Sequence, residues 1–203
     1  MPGIIGFTNS GFIEPQSRKI LKQMQSMITH DSYCVQDEIF CDAGVCATRS
    51  HINIIQTAPQ PYSDSEIHAW LDGEFYNRNE LCKNCSNASS DARILAALYK
   101  KNNDFSFLKD IDGFYSASLY DAARQKVFLI TDRYGIRHVY WTVVNGNLAW
   151  SSEVKAFLAL PEFSPGIDPG AVREFFGVGY LLEDRTWFEN VKMLPSGTVM
   201  TWD

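Results

Sequence analysis

The chain has no apolar run approaching the roughly 20 residues that cross a bilayer, which argues against a spanning helix. Its first residues lack the basic region and long apolar segment of a secretory leader, so a cytoplasmic location is expected. Basic charge is scarce. Eighteen Lys and Arg against 24 Asp and Glu leave a net charge of −6, with no basic stripe to neutralise a phosphate backbone, and this excludes nucleic acid as an expected partner. Internal repeats, low-complexity segments and long linkers are missing as well, so residues 1–203 read as one domain. Cysteine is limited to an odd five (Cys34, Cys41, Cys46, Cys82 and Cys85), dispersed in a chain long enough to fold without staples, and free thiols are expected. Cys82 and Cys85 form a single Cys-x-x-Cys pair. A four-ligand zinc site needs a second pair at matching spacing, so no metal is expected, and no cofactor.

What is present is apolar material: 45% hydrophobic and 13% aromatic residues in 203, enough for one sizeable core. The opening "GIIGF" reads as a buried strand. In "EPQSRKILKQMQSMITH" the residues Ile20, Leu21, Met24, Met27 and Ile28 share one helical face, with Pro15 suited to the first turn. "EIFCDAGVCAT", "HINIIQ" and "IHAWLDG" read as short strands. "SSDARILAALYKKN" supplies a cap cluster and then Ile94, Leu95 and Leu98 at helical spacing.

From residue 113 the segments "GFYSASLYD", "KVFLITD", "HVYWTVV" and "NLAWSS" predict four strands in an antiparallel meander. Asn145-Gly146 marks a hairpin between the last two, because a type I′ turn takes positive φ at both central positions. "EVKAFLAL" predicts a short helix. In "DPGAVREFFGVG", Asp168 caps a helix whose first position is Pro169. "GTVMTWD" predicts a strand that returns to a sheet. Helices and strand clusters in this order suggest an α+β layered fold.

Several stretches, in order, resemble the N-terminal glutaminase domain of asparagine synthetase, a class II glutamine amidotransferase of the N-terminal-nucleophile hydrolase fold. They are "PGIIGF", Arg49 ahead of "APQPY", "LDGEFYNRNEL", "SSDARIL", "GFYSASLYD", "TDRYGIRHVYW", and the closing run from "SSEVKAFLAL" to "VKMLPSG". The resemblance covers nearly the whole chain. It implies a four-layer αββα sandwich of two antiparallel sheets, with the N-terminus at the mouth of a pocket. It also implies site roles. Arg49 would hold a substrate carboxylate through its planar fork, against the alternative of a surface ion pair. Asp91 would bind the substrate ammonium, against the alternative of a helix cap. Gly73 would allow close backbone approach and Glu74 would help bind the amino group, against the alternative of a plain turn.

Two departures fall on the chemistry itself. The family places a cysteine after the initiator methionine, and this chain has Pro2, which has no nucleophilic side chain to combine with its own amine. Losing an activated nucleophile costs on the order of a million-fold where it has been measured. The family's oxyanion-hole asparagine is here Asp72, and losing one such donor costs about 10²–10³ in rate. "RSHINI" and "THDSYCVQD" also depart from the family; in the latter only His30 aligns, and a lone histidine reads as a hydrogen-bonded structural residue.

The sequence therefore predicts a glutaminase-like domain that does not hydrolyse glutamine. Its partner would be an ATP-dependent synthetase domain, C-terminal or separate, since the ATP-pyrophosphatase loop is absent from these 203 residues. A homodimer is compatible with the sequence. One alternative is a module that binds or senses glutamine or a related amino acid. Another is an active glutamine-hydrolysing domain with an unconventional site, in which the secondary amine of Pro2 serves as base or nucleophile.

Overall fold

The computed structural model describes residues 3–8, 14–82 and 90–203. Pro2 and Cys85 lie outside them. The strands are β1 (Gly3–Thr8), β2 (Val35–Gln36), β3 (Phe40–Cys41), β4 (Val45–His51), β5 (Tyr62–Ser63), β6 (Ile67–Phe75), β7 (Gly113–Asp121), β8 (Lys126–Thr131), β9 (Tyr140–Val144), β10 (Asn147–Ser151), β11 (Lys192–Met193) and β12 (Val199–Trp202). The α-helices are α1 (Glu14–Ile28), α2 (Arg78–Leu81), α3 (Asp91–Asn102) and α4 (Pro169–Val178). One antiparallel sheet has the order β11-β9-β10-β1-β4-β2, with β3 also on β4; the other is β12-β8-β7-β6-β5.

The strands alternate their side chains between two apolar layers, so both faces of each sheet are covered. Ile4, Val45, Ala47, Trp70, Leu129 and Trp150 fill the space between the sheets. Ile5, Phe7, Leu21, Met24 and Phe157 bind α1 and the 3₁₀ turn Val154–Ala159 to the outer face of the first sheet. Leu71, Ile94, Leu95, Leu119 and Ile130 bind α3 to the outer face of the second. The sequence of layers is helix, sheet, sheet, helix. This is the expected α+β sandwich.

Local signals explain most elements. Ile20, Leu21, Met24 and Ile28 are buried along α1, whereas Met27 sits at the edge of the stripe and is only partly covered. Gln25 takes a buried place instead, its amide donating to Thr48 Oγ1 at 3.2 Å. Ser90 caps α3 by accepting the Arg93 N–H at 3.3 Å. Asp168 caps α4 through the Gly170 N–H at 2.7 Å, with Pro169 first in the helix. Asn145 (φ 51°) and Gly146 (φ 76°) turn β9 into β10 as expected.

Three expectations are corrected. "HINIIQ" is not a strand: β4 ends at His51, Asn53 and Gln56 both take φ of 55°, and the chain leaves the sheet with Ile54 largely exposed. The four strands after residue 113 do not form one meander. β8 pairs with β7 and β12 while β9 pairs with β10 and β11, so the loop between β8 and β9 crosses from one sheet to the other. Nor are all thiols free. Cys41 and Cys46 are register partners across the tight β3–β4 turn, held by the Asp42 N–H on Val45 O at 2.9 Å, and they form a disulfide. No helix among the described residues is long and apolar enough to cross a membrane.

Candidate functional site

Period-two alternation decides which side chains of β4 and β6 can meet. Val45 and Ala47 face the inter-sheet layer, so Arg49, two residues on, faces it too. On β6 the same rule puts Asp72 on the side of Trp70 and leaves Leu71 to the α3 layer. Arg49 and Asp72 thus approach the same end of the space between the sheets. There they line a cavity of about 190 Å³ together with His51, Ile52, Ile55, Gln56, Gly73 and Arg137. Gly3, the first described residue of β1, is the register partner of Ser50, beside Arg49.

Arg49 is 1% exposed. Its Nε donates to Asp37 Oδ2 at 2.7 Å, Nη2 to Ala58 O at 3.1 Å and Nη1 to Leu71 O at 3.4 Å. It is therefore a buried ion pair rather than a surface one, with three of its five N–H donors held by the protein. Behind it, His51 Nδ1 accepts the Asn53 N–H at 3.2 Å and Nε2 lies 3.8 Å from Asp37 Oδ1. Burial, together with the Arg49 charge, pushes the imidazole below its ordinary value and favours the neutral ring.

Gly73 sits inside β6, not in a turn. Its φ is +119°, and a Cβ there would fall on the Phe114 carbonyl and 2.7 Å from Tyr115 Cα, so only glycine fits between β6 and β7 at this register. Asp72 and Glu74 flank it. The Asp72 side chain is 14% exposed and its Oδ2 lies 3.5 Å from Arg137 Nε. Burial lifts the Asp72 carboxyl above its ordinary value, and the attraction of Arg137 and Arg49 only partly reverses this. Glu74 is half-buried, outside the cavity, and close enough to Asp91 to repel it.

Asp91 opens α3 but does not cap it; that role is taken by Ser90. Its Oδ2 accepts the Phe75 N–H at 2.8 Å and the Gln56 side-chain amide, and its own N–H donates to Gln56 Oε1 at 3.0 Å. Arg78 Nε lies 3.3 Å from Oδ1. Burial raises the Asp91 carboxyl despite the Phe75 N–H and Arg78. Asp91 thus reaches the cavity only through Gln56, which lines it.

Arg137 was not singled out by the sequence reading, although its motif was. The Asp132 carboxylate accepts the N–H groups of Tyr134 (2.8 Å), Ile136 (3.1 Å) and Tyr115 (3.1 Å), and Gly135 takes φ +63°, so the β8–β9 loop is folded around one aspartate. That loop delivers Arg137 over the Phe114 ring, 5.0 Å from its centroid. Asp37 and Gln56 were also missed, one in the divergent "THDSYCVQD" and the other at the end of "HINIIQ". His30 is far from these groups in its bonding, with Nε2 2.6 Å from Glu153 Oε1. A larger, more open groove of about 620 Å³ shares only His51 with the cavity.

The two antiparallel sheets between helical layers form an α+β sandwich shared with solved amidotransferases. The glutamine phosphoribosylpyrophosphate amidotransferase of B. subtilis superposes with a TM-score of 0.55 over 83% of this chain and 46% of its own, at 15% identity. The chain belongs to the glutamine amidotransferase domain family, whose model matches residues 1–203. Similar proteins include an amidase, chyE, of Penicillium rubens, 36% identical over 72% of this chain and 22% of its own length. Asparagine synthetase [glutamine-hydrolyzing] 2 of Bacillus subtilis is 28% identical over 79% of this chain and 23% of its own. The chain thus spans under a quarter of the length of these two relatives.

Proposed function

We propose that this domain is the glutaminase-like part of an asparagine-synthetase-like protein and does not hydrolyse glutamine. The observation that carries the reading is the carboxylate of Asp72 in the cavity beside Gly73, where the family resemblance calls for an amide donor. A charge about 4 Å from a developing oxyanion opposes it by roughly 4 kcal/mol at an effective dielectric near 20. Pro2, without a thiol, supports the same conclusion from the sequence. The nitrogen donor of such a protein would be free ammonia or an amine of its substrate, and the partner an ATP-dependent synthetase domain. An exposed apolar face at α4, with Phe176, Val178 and Tyr180 uncovered, supports a partner on that side.

Ammonia release from glutamine tests this. The unmodified chain should release none above background, Pro2→Cys little, and Pro2→Cys with Asp72→Asn clearly more. Full turnover by the unmodified chain defeats the reading, and full turnover by Pro2→Cys alone defeats the role given to Asp72. A second reading, retention of amino-acid binding without turnover, is favoured by the cavity itself. At about 190 Å³ it lies below the roughly 300–1,000 Å³ of sites for drug-sized ligands, which suits a free amino acid.

A further inference from the structure

Gln56 turns both ends of its side-chain amide onto one residue. Its Nε2 donates to Asp91 Oδ2 and its Oε1 accepts the Asp91 N–H at 3.0 Å. An acceptor for the amide N–H and a donor for the amide carbonyl, side by side, are what recognition of a primary carboxamide requires. The Gln56 side chain also lines the cavity, and Asp91 lies behind it, fully buried. The amide thus fills a polar position in the cavity wall that Asp91 defines.

The segment that carries Gln56 is lightly held. Among the described residues, none from 52 to 61 takes part in a backbone–backbone hydrogen bond. Its fixed points lie toward the two ends. The Asn53 N–H donates to His51 Nδ1 at 3.2 Å, and Ala58 O accepts from Arg49 Nη2 at 3.1 Å. Gln60 Oε1 accepts the Leu71 N–H at 2.6 Å, and its Nε2 donates to Leu71 O at 3.1 Å. Between Asn53 and Ala58, the Gln56–Asp91 contact is the one hydrogen-bonded tie among the described residues. Gln56 itself holds φ of 55°, a left-handed backbone that glycine favours and glutamine rarely adopts. Ile52, Ile54 and Ile55 are all exposed, so apolar burial adds little.

We propose that Gln56 is an internal plug, its amide occupying the position that Asp91 offers to the primary carboxamide of a small free ligand. This rests on the reading that the cavity binds an amino acid, and it names the group that would be read. A ligand amide exchanges two hydrogen bonds for two, while residues 54–57 lift and Ala58 and Gln60 stay anchored. An ammonium leaves the Asp91 N–H without an acceptor, and a carboxylate opposes Oδ2, so the amide is preferred to both. The plug lowers the apparent affinity for such a ligand by the fraction of chains in which it is withdrawn.

Titration calorimetry on the whole chain with L-glutamine and L-glutamate tests this in two variants. Gln56→Ala removes the plug, and Gln56→Asn keeps the amide on a stem too short to reach Asp91. Both should bind glutamine about tenfold or more tighter than wild type and gain little for glutamate. Glutamine binding by the variants alone supports the plug equally, and thermal melts should show each variant folded. Glutamine affinity unchanged or reduced in both variants overturns the plug, while the amino-acid reading stands on the wild-type binding. Equal gains for glutamine and glutamate overturn the assignment of the position to an amide. No glutamine binding by wild type or variants overturns plug and reading together.

Discussion

Arg49 and Arg137 reach one cavity, the first from a central strand and the second from a loop that crosses between sheets, and they are held in opposite ways. Arg49 is enclosed, with an aspartate on its Nε and carbonyls from β6 and the 52–61 loop on its other nitrogens. Arg137 rests on a phenyl ring at the rim, with Asp72 at a looser 3.5 Å. The difference shows how the same side chain can be held inside the fold, between strands, or at its rim, over an aromatic ring. A guanidinium whose donors are fixed by the fold in this way ties β4 to β6.

The largest effect follows from the enclosed arginine. Arg49→Ala removes one member of a buried pair and leaves Asp37, itself nearly covered, without its cation. Such changes cost about 3–5 kcal/mol, so the midpoint of chemical denaturation should fall steeply. A loss under about 1 kcal/mol would mean that Arg49 is no brace, and the contrast with Arg137 would collapse. Arg137→Gln should cost about 1 kcal/mol by the same measurement, as a rim ion pair and a single cation–π contact do. A cost equal to that of Arg49→Ala would place both arginines in one class.

The brace and the rim differed in legibility too. Apolar spacing alone marked α1 and α3, and Asn145-Gly146 marked the β9–β10 hairpin, because each signal is local and the backbone it demands is specific. Which sheet the hairpin joins was hidden, since β8 and β9 carry apolar residues that suit either sheet and nothing local forbids their pairing. "HINIIQ" misled for a related reason: Ile52, Ile54 and Ile55 imitate strand content, while the left-handed Asn53 and Gln56 break the strand. Arg49, Asp72 and Gly73 came from the order of family motifs, and the structure brings these three to one cavity. Arg137 follows a glycine in a loop without periodicity, so its place depends on how Asp132 folds that loop. Asp37 pairs with Arg49 across a register that only the assembled sheet defines.

The smallest effect is the most telling about the rim, because its sign decides between burial and pairing at Asp72. Burial raises its carboxyl in the folded protein more than Arg137 and Arg49 lower it, so the folded chain holds that proton to higher pH than the unfolded chain. The stabilisation linked to this proton is complete below the ordinary carboxylate value and is lost as pH rises through the folded one. Asp72→Asn is neutral at every pH. Measured by denaturant unfolding, its stability relative to wild type should therefore rise from acid toward neutral pH and level off above the folded value of Asp72. Asp91 is also raised by burial, but it is common to both proteins and cancels in the difference. A relative stability that falls as pH rises would show that Arg137 stabilises the ionised Asp72 more than burial opposes it. The pair at the rim would then be a brace like the one at Arg49.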